Sequence, residues 1–168
     1  MNSKEITEMV KNIRKEQEIF KTVDVNDLLS MIEKDNHDYL ENKTFKTIAE
    51  DIFNQVTSID IIPPDEMVII CDKLKDFFLV KDVCELRKSR YLRYIKKGGN
   101  VLLNGGFFTK LTVKNNIVYI GMVIHGGRFI SVRFEDYIFF QKLTEDEKII
   151  LLSFDYIDQF NEEHIWKM

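Results

Sequence analysis

The chain has 168 residues, of which 45% are hydrophobic and 12% aromatic, and this composition is enough for the core of one ordinary domain. No apolar run approaches the roughly 18 residues that a membrane-spanning helix needs, and no secretory signal is recognisable. We therefore expect a soluble intracellular protein, cytoplasmic or nuclear, that is not secreted and has no membrane partner. Cys71 and Cys84 lack a metal or redox spacing and are expected to stay reduced.

The first 86 residues have the pattern of an acidic helical region. Four helices are predicted: one over residues 4–20 after the cap Ser3, a short one after the cap Asp24, one after Thr44, and one from Pro64 whose apolar spacing continues through Phe78. The third is the clearest, and its apolar stripe is expected to lie in the core. That stripe comprises Phe45, Ile48, Ala49, Ile52, Phe53 and Val56.

The spacing changes from helical to extended after about residue 89, and glycine pairs follow at short intervals. Five strands are predicted, over residues 91–95, 101–113 with a turn or bulge at 104–106, 117–124, 129–134 and 137–143. Thr144 and Glu147 have the spacing of a capping box and predict a C-terminal helix. Its expected apolar side comprises Ile149, Ile150, Leu152, Phe154, Ile157 and Phe160. The fold class is therefore α+β, with a five-stranded antiparallel small barrel or bent sheet between helices.

Charge is distributed unevenly along the chain. Residues 1–86 carry a net −8, residues 87–143 a net +9, and residues 144–168 a net −5, which together give the chain its −4. We predict three regions with these bounds: an acidic helical region, a basic β-module and a C-terminal helix. Charge segregation of this kind indicates partners rather than fold, and DNA or RNA is the expected partner of the basic module.

The most basic stretch, residues 87–97, holds six cations, two tyrosines and no acid. Cations bind phosphates and exposed aromatic rings stack on bases, so we predict a nucleic-acid surface without strong sequence preference. The predicted phosphate contacts are Arg87, Lys88, Arg90, Arg93, Lys96, Lys97, Arg128 and Arg133, and the predicted stacking residues are Tyr91 and Tyr94. Alternatively, the acidic helices neutralise these cations within the molecule and the tyrosines cover the core.

A second hypothesis is a protein interaction or assembly function. The helical part has more apolar helix faces than one small barrel needs, so it can bind a protein partner or another copy of the chain. No Walker, Rossmann, zinc-protease or esterase motif is found. His125-Gly126-Gly127-Arg128 predicts a tight turn that displays Arg128. We therefore expect a non-catalytic protein without a cofactor or a metal.

The β-module also resembles known proteins at the level of fold. The segments RYLRYI at 90–95, GGFF at 105–108, GRFISVRF at 127–134 and YIFF at 137–140 resemble the strands of a Tudor-like or Src-homology-3-like small β-barrel. Such barrels bind nucleic acid, methylated protein tails, proline-rich peptides or nothing, so the resemblance does not select a ligand. The same segments are similar in style to uncharacterised proteins of large DNA viruses, which implies a viral structural or accessory protein.

Overall fold

The computed structural model describes residues 37–165, and the two helices predicted near the start of the chain lie outside the described residues. The described elements are α1 (Phe45–Thr57), α2 (Pro64–Lys73), β1 (Phe77–Val80), β2 (Tyr91–Lys96), β3 (Leu102–Lys114), β4 (Ile117–Val123), β5 (Phe129–Arg133), β6 (Tyr137–Lys142) and α3 (Glu145–Ile165). The strands form one antiparallel sheet in the order β1-β6-β2-β3-β4-β5. The α+β prediction is confirmed. Because the two end strands do not pair, the sheet is open and does not close into a barrel, and it has six strands within residues 37–165 where five were predicted.

The chain divides into two compact units. Within the described residues, the sheet unit comprises 37–38 and 80–141, and it contains β2 to β5 and nearly all of β6. The helical unit comprises 39–79 and 142–165, and it contains the three α-helices. No helix among residues 37–165 combines the length and the apolarity that crossing a membrane requires.

In the helical unit, α1 begins at the predicted cap. The Thr44 hydroxyl accepts a hydrogen bond from the Thr47 amide at 3.1 Å, and the Thr47 hydroxyl oxygen accepts one from the Thr44 amide at 2.8 Å. The buried side of α1 is narrower than predicted and comprises Ile48, Ile52 and Val56. The expectation that the whole stripe is core was wrong for two members, because Ala49 is exposed and Phe53 is 58% exposed.

The prediction that helical structure continues to Phe78 was also wrong. Helix α2 starts at Pro64 as expected but ends at Lys73, and strand β1 follows at Phe77–Val80. All four residues of β1 are buried. A short continuous apolar run is typical of a strand that is buried on both faces, and periodicity alone does not separate it from a buried helix.

Helix α3 is anchored by its first turn. The Glu147 carboxylate accepts a hydrogen bond from the Thr144 amide at 2.9 Å and another from the Tyr39 hydroxyl, so the predicted capping box is confirmed. Glu147 is fully buried, and so is Leu151 one turn later. The inward side of α3 therefore follows Glu147 and Leu151. Of the residues predicted for the apolar side, Ile149, Leu152 and Ile157 are each more than half exposed, and the side chain of Phe160 lies outside the described residues.

Most of the core of the sheet unit lies on one face of its strands, and Ile95 and Phe140 are fully buried on the other face, where Phe140 pairs with Arg93. Its buried side chains include Leu92, Tyr94, Phe108, Leu111, Val118, Ile120, Met122 and Phe139. Burial of one such large apolar side chain contributes roughly 1.5–3 kcal/mol. Strand β3 bends at the glycine pair where a turn or bulge was predicted: a Cβ on Gly105 would lie 2.1 Å from the Leu92 carbonyl oxygen, and one on Gly106 would lie 2.2 Å from that of Val123. Only glycine fits this close approach of three strands.

Candidate nucleic-acid interface

Strand β3 contains a second irregularity that decides which side chains face outward. Its pairing with β4 shifts register between Phe108 and Lys110, so Thr109 is an extra, bulged residue. Side chains alternate along a strand, and the bulge restarts the alternation. Phe107 and Lys110 consequently lie on the same face of the sheet, while Phe108 and Leu111 lie on the buried face.

Apolar side chains line up across four strands on the outward face. The register pairs Tyr91 with Phe107, Phe107 with Val123, and Val123 with Phe129. We call these four residues the aromatic row. The Tyr91 and Phe107 rings meet edge to face with their centroids 5.4 Å apart. Phe107 is 53% exposed and Phe129 is 73% exposed. The row therefore presents aromatic surface to solvent at two separate points.

A polar depression of about 470 Å³ lies beside the aromatic row on the same face. It is lined by Lys110, Thr112, Lys114, Tyr119 and Ser131. Gly121 pairs with Lys110 on one side and with Ser131 on the other, and it adds no side chain to this face. A Cβ at Gly121 would lie 3.1 Å from the Lys110 Cγ atom. The Lys110 side chain therefore packs over the position that a side chain at Gly121 would take.

The aromatic row and the polar depression together form what we call the outer face, and its charge is positive. No Asp or Glu occurs between Leu86 and Phe134, so the strands that form the outer face contribute no carboxylate. The nearest acids in sequence pair with Arg133 at one corner: its Nη2 lies 3.7 Å from Glu135 Oε2, and its Nε lies 3.9 Å from Asp136 Oδ2. Lys110 and Lys114 are exposed.

Four of the ten residues predicted for nucleic-acid binding lie on the outer face or at its edge. Tyr91 belongs to the aromatic row, and Arg93 is on the same side of β2, where its Nη2 donates to Asn104 Oδ1 at 2.8 Å. Arg133 pairs with Tyr119 in the register. Arg128 is exposed in the turn before Phe129, and the positive φ angles of 85° and 76° at the preceding glycines confirm the predicted tight turn.

Two of the predicted residues lie inside the sheet unit, and the sequence-based assignment needs correction for them. Arg87 is 4% exposed, and its Nη1 donates to the carbonyl oxygens of Cys84 at 2.6 Å and Leu86 at 2.9 Å. Tyr94 is buried, with its ring centroid 5.0 Å from that of Tyr137. Burial and the neighbouring Tyr137 raise the Tyr94 pKa. Neither side chain is placed to touch a ligand, because both are used in packing.

The remaining four predicted cations do not form one surface. Lys88 and Lys97 are exposed in the segments that precede and follow β2, and Arg90 is half-buried. Lys96 is exposed but lies on the opposite side of β2 from Arg93, because the two are three positions apart on a strand whose side chains alternate. The dense cationic run therefore spreads over several directions in space.

Sequence reasoning missed the residues that dominate the outer face, namely Phe107, Lys110, Lys114, Tyr119 and Phe129. A signal for them existed in the apolar spacing of β3. Phe108 and Leu111 are both buried although they are three residues apart, which is odd-numbered spacing for one face of a strand. This spacing indicates a bulge between them and reverses the expected side of both lysines.

The part of the chain with described side chains contains no group of three His, Cys, Asp or Glu residues arranged to hold a metal ion. The chemistry available on the outer face is thus electrostatic attraction, hydroxyl hydrogen bonding and ring stacking. No protein-family model matches this sequence, and no curated protein and no solved structure matches it significantly. The resemblance of the β-module to Tudor-like and Src-homology-3-like barrels stays a prediction.

Proposed function

We propose that the outer face of the sheet unit binds nucleic acid through its phosphate backbone. The observation that carries this proposal is the combination of exposed Lys110 and Lys114 with exposed Phe107 and Phe129 on one face whose strands contribute no carboxylate. When cations without acidic neighbours bind the phosphates of a nucleic acid, they displace counterions that are condensed on it. The release of these counterions favours polyanions over neutral ligands. Nucleic acid is still the proposed partner of the basic module, but most of the contact residues differ from those predicted from sequence.

The polar depression supports phosphate contact in particular. Two lysines and three hydroxyl-bearing residues line it, and all five side chains carry groups that can donate hydrogen bonds to phosphate oxygens. The aromatic row and the five residues that line the depression offer no carboxylate or side-chain amide to read base edges. Binding is therefore expected to depend weakly on sequence and strongly on salt.

The test is fluorescence anisotropy of labelled oligonucleotides, single-stranded and duplex, over a range of salt concentrations. Replacing both Lys110 and Lys114 by Gln should lower the magnitude of the slope of log affinity against log salt by about 0.7–0.9 for each lost phosphate contact. The matched control replaces Lys46 and Lys75, two exposed lysines of the helical unit, by Gln and should leave the slope unchanged. Absence of binding at low salt, or an equal effect of both double variants, would refute the proposal.

A second candidate function is protein binding by the helical unit, and we propose it on a separate observation. Ile149, Leu152, Tyr156 and Ile157 have the spacing of one helix face and are 61%, 59%, 71% and 52% exposed. Exposed acids lie on the same side of the helix at the start of this stripe, at Glu145 and Asp146. Apolar residues flanked by acids fit a partner helix whose own apolar stripe is flanked by basic residues, since like charges would oppose a second copy.

The probe for this candidate is a labelled helical peptide of Leu and Lys with the length of α3, compared with a peptide in which Glu replaces Lys. The Lys peptide should bind, and Leu152→Gln with Tyr156→Gln should abolish binding. Val68→Gln is the matched control, because Val68 is 71% exposed on α2 and lies off the stripe. Equal binding of both peptides would contradict the proposed partner. A dimer of the wild type in light scattering that is lost in the double variant would also contradict it.

A further inference from the structure

We infer that the ligand of the outer face is a single strand with unpaired bases, and that it crosses the β-strands along the aromatic row. This inference rests on the proposed function and names its substrate class. Its foundation is the pair Phe107 and Phe129, whose rings are more than half exposed although Phe108, next to Phe107 in β3, is completely buried. Exposed ring faces are the surface on which bases stack.

Duplex nucleic acid cannot use such a surface. In a duplex the base faces are covered by neighbouring base pairs, and only base edges reach the grooves. A flat row of side chains on a sheet face would meet the duplex at its phosphates alone. A single strand can turn its bases toward the row and cover the exposed hydrocarbon of Phe107 and Phe129, so it gains apolar contact in addition to phosphate contact.

The register of the sheet fixes the direction in which the nucleic-acid strand crosses it. The aromatic row runs perpendicular to the β-strands, and neighbouring strands lie about 4.8 Å apart, so the backbones at Phe107 and Phe129 are separated by about 10 Å across Val123. Phe107 and Phe129 are therefore separate platforms for separate bases. Tyr91 supports the first platform from the side through its edge contact with Phe107.

The polar depression accommodates the phosphate backbone of the same nucleic-acid strand. Along β3, the lysines follow the aromatic row in the order Phe107, Lys110, Lys114, all on the outer face. A strand whose bases lie on the row thus has its phosphates directed toward Lys110 and the hydroxyl groups beside Gly121. Arg128, exposed in the turn that precedes Phe129, continues the positive charge at the far end of the row.

The experiment compares labelled oligothymidylate and oligouridylate of about 12 nucleotides, a length within the usual range for one single-strand-binding fold, with a duplex of equal length. The single strand should bind at least about tenfold more tightly than the duplex at equal salt. Phe107→Leu and Phe129→Leu should each weaken single-strand binding by about 5- to 100-fold, leave duplex binding unchanged and preserve the salt slope. The ratio of the two single strands distinguishes DNA from RNA.

Phe53→Leu is the matched control, because Phe53 is 58% exposed, close to the 53% of Phe107, but lies on the helical unit. It should change no affinity. Photocrosslinking with an oligonucleotide that carries 5-iodouracil should label peptides that contain Tyr91, Phe107 or Phe129. If single strand and duplex bind equally and the Phe variants are neutral, the single-strand inference fails while the proposed function stands. If neither probe binds at low salt, the proposed function itself fails.

Discussion

The two faces of the same strands follow different rules, and Phe107 and Phe108 show the difference most directly. They are neighbours in sequence and identical in chemistry, yet Phe108 is fully buried and Phe107 is 53% exposed. Core packing stabilises the buried ring, whereas the exposed ring makes an edge contact with Tyr91 and leaves about half of its surface to solvent. Stability therefore explains the buried face of β3, and for the exposed face we propose ligand binding.

The cations likewise include one that is buried in the fold and one that is exposed on the outer face. Arg87 stands in the densest basic run of the sequence, but its guanidinium is enclosed and bonded to two main-chain carbonyls. Lys110 stands alone between apolar and hydroxyl residues, and it is exposed beside the polar depression. Local charge density along the chain is therefore a poor guide to which cation is exposed, because alternation and bulges decide the direction of each side chain.

The largest expected effect comes from truncating the two rings and comparing the losses of stability. Phe108→Ala should lower the free energy of unfolding by about 3–5 kcal/mol, because it leaves a cavity in the core. Phe107→Ala should lower it by less than about 1 kcal/mol. Urea unfolding followed by circular dichroism measures both. If Phe108→Ala does not fold, Phe108→Leu against Phe107→Leu gives the same ranking, and equal losses at the two positions would mean that the outer face is structural.

A smaller effect separates the buried cation from an exposed one. Arg87→Met should cost about 2 kcal/mol of unfolding free energy, since the carbonyl oxygens of Cys84 and Leu86 lose a charged donor while remaining buried. Arg128→Met should cost less than about 0.5 kcal/mol, and it should weaken nucleic-acid binding. A stable Arg87→Met variant with impaired binding would reverse the two assignments.

The smallest expected effect concerns pH and the buried thiol beside Arg87. Burial, followed by the charges of Asp82 and Glu85, raises the Cys84 pKa from 9.0 to about 12. Above pH 9 the unfolded chain loses the thiol proton while the folded chain keeps it, so stability falls as pH rises from about 9 toward 12. Between pH 8 and pH 10 the wild type should lose about 1 kcal/mol more than Cys84→Ala. Parallel pH profiles from urea unfolding would contradict this expectation.

The sequence predicted the elements of the described region better than it predicted the interface. The five strands after residue 89 were recognisable because glycine pairs and alternating side chains mark them, and the Thr144 capping box marks α3. Strand β1 was not recognisable, because a buried apolar run carries no period. The outer face was missed because its lysines take their direction from a single bulged residue, Thr109, while the prediction followed the density of cations.

The bulge at Thr109 also sets how β3 responds to changes in chain length. Deleting Thr109 would restore regular pairing and keep both faces, because Phe108 and Leu111 would still face inward and Lys110 outward. Deleting a residue from a regular part of β3 would instead turn the strand over beyond that point, so that buried side chains would face water. In chains descended from a common ancestor with this one, we therefore expect single-residue gaps in β3 to fall at Thr109.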